Sequence, residues 1–90
     1  MKYTGIAYIY LREDLLDPQG KAVMSGLRQL GFDTVENVRV GKQIKVMFEA
    51  KDADEGLARL DEMCKKLLVN PVIEDYETIL MAMEDSTEAK

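Results

Sequence analysis

The first segment of the chain has the alternation of a β-strand, yet both of its faces are apolar. Residues 3–11 are rich in β-branched and aromatic side chains and contain no proline. One face carries Tyr3, Gly5, Ala7, Ile9 and Leu11, and the other carries Thr4, Ile6, Tyr8 and Tyr10. An antiparallel strand with one face in water would alternate more cleanly. We therefore expect the second face to be covered, and in so short a chain the available cover is another subunit.

Two segments have the periodicity of helices. The first is predicted from Pro18 to Leu30, with apolar residues at helical spacing and Gly31 as its C-terminal stop. The second begins at Asp52, whose spacing from Glu55 is that of a capping box, and it ends at Asn70-Pro71. Its apolar stripe consists of Leu57, Leu60, Cys64, Leu67 and Leu68.

Between the helices, residues 35–50 form a second extended region whose apolar residues have even numbers. These residues are Val38, Val40, Ile44, Val46 and Phe48. A two-residue hairpin at Gly41-Lys42 would split this set across two faces, so we exclude it. A three-residue loop and one long strand bent at Gly41 both keep the set together. A continuous strand would span about 50 Å and would have to curl or meet a neighbouring molecule.

Residues 72–83 are predicted to form the last strand. The pattern indicates an α+β two-layer sandwich, β-α-β(β)-α-β, with an antiparallel-type sheet of three to four strands and two helices on one face. We expect dimerisation to complete or cover this sheet. Residues 1–83 are predicted to form one domain, and the polar tail 84–90 is predicted to be disordered.

Composition and charge exclude several classes of function. The net charge of −5 and the pI of about 4.7 argue against a nucleic-acid surface, which requires a basic patch. The chain has no histidine, the commonest general base and metal ligand, and its one cysteine excludes an internal disulfide. No apolar run is long enough for a membrane helix or a signal peptide, so we expect a cytoplasmic protein with no membrane partner.

The candidate reactive residues have structural interpretations. Cys64 lies on the apolar stripe of the second helix and is predicted to be buried. On a strand, Glu74 faces away from Asp75 and Glu77, so these carboxylates do not converge on a metal. Ser25 has no histidine with which to form a triad. We therefore predict no metal site and no catalytic residue in this chain.

Two glycine–lysine pairs have the composition of anion sites but not the spacing. Gly20-Lys21 and Gly41-Lys42 both lack the Walker pattern that cradles phosphates. The residues thus favour an assembly or binding module over an autonomous enzyme. An alternative is a regulatory module that senses an amino acid or nucleotide at a dimer interface.

Three segments together resemble the PurS subunit of phosphoribosylformylglycinamidine (FGAM) synthase. They are Leu-Asp-Pro-Gln-Gly-Lys-Ala-Val at 16–23, Val-Arg-Val-Gly-Lys at 38–42 and Met-Cys-Lys-Lys-Leu-Leu-Val-Asn-Pro-Val-Ile-Glu-Asp-Tyr-Glu at 63–77. Their order and spacing match over nearly all of residues 3–80. The resemblance implies a non-catalytic homo-oligomer, a dimer or dimer of dimers, in de novo purine biosynthesis. It would bridge a glutaminase subunit and a large synthetase subunit and support ammonia transfer to formylglycinamide ribonucleotide.

The resemblance also implies roles for individual residues and for cofactors. ATP, Mg²⁺ and glutamine would be used by the partner subunits, and this chain would bind no cofactor. The motif residues would shape the chain or contact other subunits rather than catalyse. They are Asp17, Pro18 and Gly20 at the first helix start, Arg39, Gly41 and Lys42 at the bend, and Asn70, Pro71, Glu74 and Tyr76 at the last strand. Arg39, Lys42 and Glu74 are the predicted inter-subunit contacts.

Overall fold

A computed structural model describes residues 1–83, which form three antiparallel strands and two helices. The elements are β1 Lys2–Leu11, α1 Pro18–Gln29, β2 Gly41–Glu49, α2 Ala53–Met63 with a π-helical turn Cys64–Leu68, and β3 Glu74–Ala82. The α+β class is confirmed, with three strands in the sheet. The predicted disordered tail, residues 84–90, lies outside the described residues.

The first strand is the centre of the sheet, whose order is β2-β1-β3. Tyr3 lies opposite Phe48 on one side and Ala82 on the other. Because side chains alternate along a strand, the odd residues of β1 share a face with the even residues of β2 and β3. The even-numbered apolar set of β2 therefore lies on one face, as its parity predicted.

The core lies between this face and α2. Ala7, Ile9 and Leu60 are fully buried, and Cys64 is buried among them as predicted. A Cβ on Gly5 would lie 2.8 Å from Leu60 Cδ2, so this glycine makes room for the leucine. Burial raises the pKa of the Cys64 thiol, which keeps it protonated and structural. These residues hold the three strands and α2 together as one unit, called the body below.

The first helix stands apart from the body. Both helices were predicted on one face of the sheet, but within the chain itself only α2 packs there, and α1 makes almost no contact with the strands or α2. Residues 18–40, which comprise α1 and the segment that returns from it, are called the arm below. The Cα radius of gyration is 16.9 Å, whereas a compact chain of this length has about 12 Å. The helical pattern marks the apolar face of α1, but it does not specify what covers that face.

The structure contains neither a hairpin at Gly41 nor one strand over the whole of residues 35–50. No hairpin forms at Gly41, because β2 begins there and pairs with β1 from Tyr10 onward. Residues 35–40 run into β2 without a strand partner among residues 1–83. A Cβ on Gly41 would lie 2.8 Å from the carbonyl oxygen of Ile9, so glycine permits the close backbone approach where pairing starts.

The second face of the sheet carries an exposed apolar patch, as the first strand predicted, with charged residues such as Lys45 and Glu77 beside it. Ile6 lies at its centre and is buried by its neighbours, whereas Met47 is 63% exposed. Ile79 and Met81 extend the exposed apolar surface along β3. No element among residues 1–83 packs over this face.

Candidate functional site at the motif end of the sheet

The three motif segments meet at one end of the sheet, called the motif end below. The outer strands run antiparallel to β1, so their first residues lie beside its last ones. Gly41 pairs with Tyr10, and Glu74 pairs with Leu11. The start of α1 is attached to the same end. The fold therefore brings together residues that are up to 60 positions apart in the chain.

Asp17 joins the start of α1 to the residue that precedes β2. It is only 4% exposed, and its two carboxylate oxygens serve different groups. Oδ1 accepts a hydrogen bond from the Gly20 N–H at 3.0 Å, and Oδ2 accepts one from the Val40 N–H at 2.7 Å. The bond from Val40 and then that from Gly20 lower the pKa of Asp17. Pro18 occupies the first turn, where it displaces no helical hydrogen bond.

Gly20 allows the start of α1 to lie in close contact with the returning segment of the arm, at Val38. A Cβ at this position would lie 2.1 Å from the carbonyl oxygen of Val38, so no side chain fits without moving the backbone. Asp17 already occupies the Gly20 amide at this helix start. These contacts support the structural interpretation of the motif and leave little room for an anion.

Arg39 fastens the loop between β1 and α1. Its guanidinium donates to the carbonyl oxygens of Leu15 and Arg12, each at 3.0 Å. Arg12 in turn donates to the carbonyl oxygen of Pro71 at 3.3 Å. The second and third motif segments are thus linked through the loop that follows β1.

Lys42 and Glu74 join the two outer strands across β1. The Lys42 Nζ lies 3.5 Å from Glu74 Oε2, on the face that carries α2. The other oxygen of Glu74 accepts a hydrogen bond from the Asn70 N–H at 2.8 Å. The side-chain oxygen of Asn70 accepts from the Val72 N–H at 3.1 Å, which shapes the turn into β3. Both predicted contact residues therefore already have partners within the chain.

A cavity of about 270 Å³ lies between these groups and the start of α1. Its polar lining comes from Gln19, Lys42 and Glu74, with Tyr10 beside them. The ammonium and carboxylate neutralise each other, and no group of three potential metal ligands occurs within residues 1–83. Gln19 belongs to the first motif segment but was not singled out from the sequence, since a glutamine in a first helical turn is unremarkable.

Tyr76 lies away from the cavity and links β3 to α2 through a hydrogen bond. Its hydroxyl donates a hydrogen bond to Asp61, which also forms an ion pair with Lys65 at 3.1 Å. The bond to Asp61 raises the pKa of Tyr76 to about 12 and lowers the pKa of Asp61. Asp61 was missed in the sequence. The available signal was its position beside Leu57, Leu60 and Cys64, at the border of the apolar stripe.

These contacts define a small α+β protein whose motif residues maintain its shape through hydrogen bonds within the chain. Its apolar surfaces, on the open sheet face and on the arm, are those of a protein that assembles with others. No helix among residues 1–83 has the length and hydrophobicity needed to cross a membrane.

Comparisons with known proteins identify the family. A family model described as PurS, phosphoribosylformylglycinamidine (FGAM) synthase, matches residues 6–82. The PurS subunit of this synthase from Synechocystis sp. is 49% identical over 77 residues, which cover 86% of this chain and 77% of that protein. The chain belongs to the PurS family of FGAM synthase subunits, in purine biosynthesis.

Solved structures have the same fold. PurS from Thermus thermophilus superposes with a TM-score of 0.85 at 38% identity, covering 93% of this chain and 100% of that one. A chain in the structure of PurLQS from Thermotoga maritima superposes with a TM-score of 0.82 at 28% identity, covering 90% and 99%. The family predicted from the three motif segments is therefore confirmed.

Proposed function

We propose that this chain is a non-catalytic bridging subunit of FGAM synthase. It would hold a glutaminase subunit against the ATP-dependent synthetase subunit and support ammonia transfer to formylglycinamide ribonucleotide. The observation that carries the proposal is the family match over residues 6–82, together with the likeness to a chain of PurLQS. In this role the chain binds no cofactor itself, and ATP, Mg²⁺ and glutamine are used by the partner subunits.

The site geometry supports a shaping role. The charged groups of Asp17, Arg39 and Glu74 all form hydrogen bonds within the chain. Their charges therefore stabilise the fold and are not free to bind a substrate. The exposed parts of Arg39, Lys42 and Glu74 at the motif end remain our candidates for contacts with the large subunits. The sensing of a small molecule at a dimer interface is not favoured by the family.

Self-association and a cytoplasmic location complete the proposal. The exposed apolar surfaces support a homodimer or a dimer of dimers, because surfaces of this kind are usually covered in an assembly. A biosynthetic enzyme that uses ATP and glutamine fits the cytoplasm.

Reconstitution tests the bridging role. Glutamine-dependent synthesis of the amidine is measured with the two large subunits alone and then with this chain added. We expect a large increase with glutamine and a smaller one when ammonium replaces glutamine, because free ammonia needs no transfer between subunits. Equal glutamine-dependent rates with and without the chain would contradict the proposal, as would turnover by the chain alone.

A further inference from the structure

The open face of the sheet, opposite α2, has an apolar end and an acidic end. At the apolar end, Thr4 lies between Met47 and Met81, and Ile79 is beside Ile6 in the next row. Met47, Ile79 and Met81 are each at least 45% exposed. A contiguous exposed patch of this kind marks a surface that contacts another molecule.

At the acidic end, two tyrosines of β1 lie beside two carboxylates of β3. Tyr8 is opposite Glu77, and Tyr10 is opposite Asp75. The Tyr10 hydroxyl donates a hydrogen bond to Glu77 Oε2 at 3.5 Å. Desolvation, and then the charges of Glu77 and Asp75, raise the pKa of Tyr10, so its hydroxyl stays protonated. No ion pair within residues 1–83 engages either carboxylate, so the chain itself leaves this negative charge without a cation.

A cavity of about 290 Å³ lies between the two tyrosines and β2. Its lining includes Tyr8, Tyr10 and Gln43, and Gly41 contributes no side chain to fill the space beside Tyr10. An arginine suits these surroundings, because its guanidinium stacks on aromatic rings and forms paired hydrogen bonds with a carboxylate. A guanidinium over Tyr8 would also reach Glu77, since the Cβ atoms of directly opposite residues are about 5 Å apart.

A second copy of the chain is a poor occupant of this face. In an aligned face-to-face pair, a two-fold axis along the strands would lay the two acidic ends on each other. An axis across the strands would lay Asp75 and Glu77 on the apolar end of the other copy. Either arrangement takes carboxylates out of water without a cation, which costs free energy. A partner that is basic where this face is acidic, and apolar where it is apolar, avoids that cost.

We propose that the open face docks a large subunit of FGAM synthase whose surface presents an arginine beside apolar side chains. The arginine lies over Tyr8 and Glu77, and the apolar side chains cover Met47 and Met81. The proposal deepens the bridging role proposed above and rests on it. The net charge of −5 favours the same kind of partner, because it speeds encounters with a basic surface.

Binding of the labelled full-length chain to the two large subunits, with glutamine, ATP and Mg²⁺ present, tests this proposal. Glu77→Lys should raise the Kd by about tenfold or more, because it places a cation against the partner's arginine. The Kd of the wild type should rise with salt more steeply than that of the variant. Lys45→Glu makes the opposite change of charge on the same face, and it should bind at least as tightly as the wild type. Asp54→Lys, in the first turn of α2 on the other side of the sheet, is the control for reversing an exposed carboxylate and should change the Kd by less than about twofold.

Two results of the binding measurement would overturn the docking of a basic partner. One is an unchanged Kd in Glu77→Lys. The other is an equal loss of affinity in Glu77→Lys and Lys45→Glu, because the face would then respond to any change of charge and not to its sign. Met47→Glu tests the apolar end and should also weaken binding, by about tenfold.

The mass of each isolated variant tests whether the face holds a second copy instead. Glu77→Lys and Met47→Glu should sediment with the mass of the wild type, and a lower mass in either would overturn the proposal. The wild type separates this inference from the bridging role. If the wild type binds the large subunits and raises glutamine-dependent synthesis while Glu77→Lys binds equally well, only the docking through the open face fails. If the wild type does not bind them, both proposals fail.

Discussion

The body and the arm of this protein are stabilised by different forces. In the body, Ala7, Leu60 and Cys64 are fully buried between the sheet and α2. In the arm, the apolar residues of α1 are largely exposed, and the fixed part is a polar root at Asp17. Burial of apolar surface makes the body stable by itself, whereas hydrogen bonds orient the arm without covering it. The comparison shows that hydrogen bonds hold the start of the arm to the body, while the apolar face of α1 stays exposed within the chain.

The largest loss of stability is expected from a substitution that creates a cavity in the core of the body. Leu60→Ala should lower the free energy of unfolding by about 2–5 kcal/mol, because the site is fully buried and the neighbours relax only partly. Chemical denaturation monitored by circular dichroism measures the change. Leu57→Ala, at a position of the same apolar stripe where the side chain is 43% exposed, should cost less than about 1 kcal/mol. Equal losses for the two variants would mean that the core is not where the structure places it.

A smaller loss of stability, confined to the arm, is expected from a substitution at the start of α1. Gly20→Ala should cost about 1–3 kcal/mol, because its Cβ would overlap the Val38 carbonyl. Hydrogen exchange should show faster exchange of the α1 amides with little change in α2. Gly26→Ala is the matched control, since its Cβ meets nothing within 4 Å and alanine favours a helix by about 0.5–1 kcal/mol. Loss of protection throughout the body in Gly20→Ala would show that arm and body unfold together.

The body was largely predictable from the sequence because its signals are local. The even-numbered apolar residues around Val46 correctly predicted which face of β2 lies on the core. The apolar stripe that contains Cys64 correctly predicted the buried side of α2. Proline, glycine and aspartate marked the start of α1 within one residue. These features depend on neighbours in the chain, where periodicity and capping operate.

The placement of the arm and the site contacts depended on distant residues. The helical pattern of α1 specified an apolar face but could not show that the face lies off its own sheet. The hydrogen bonds from the Val40 N–H to Asp17 and from the Tyr76 hydroxyl to Asp61 join positions 23 and 15 residues apart, and no spacing rule predicts them. The π-helical turn after Met63 was also missed, because its residues continue the same apolar stripe.

A modest effect is expected where β3 is tied to α2. Tyr76→Phe removes the hydrogen bond to the half-exposed Asp61 and should cost no more than about 1 kcal/mol at neutral pH. The pKa of Tyr76 is raised to about 12 in the folded state, against about 10 when unfolded. The contribution of the bond is therefore complete from neutral pH to about pH 10 and is lost as the pH rises through 12. Denaturation of both proteins along this range should show their difference shrinking. A difference that grows would mean that the hydroxyl stabilises the body through another group.

The smallest effect is expected from the ion pair at the motif end, where body and arm meet. Lys42→Ala should change the free energy of unfolding by less than about 0.5 kcal/mol, because Lys42 is 56% exposed and water screens its attraction to Glu74. Lys45→Ala, on the open face of the same strand, is the control for removing a surface charge. Both variants are then compared in glutamine-dependent synthesis with the two large subunits. A loss of coupling in Lys42→Ala with unchanged stability would assign this lysine to a contact with another subunit. Equal rates of glutamine-dependent synthesis in the two variants would mean that Lys42 acts only through its ion pair with Glu74.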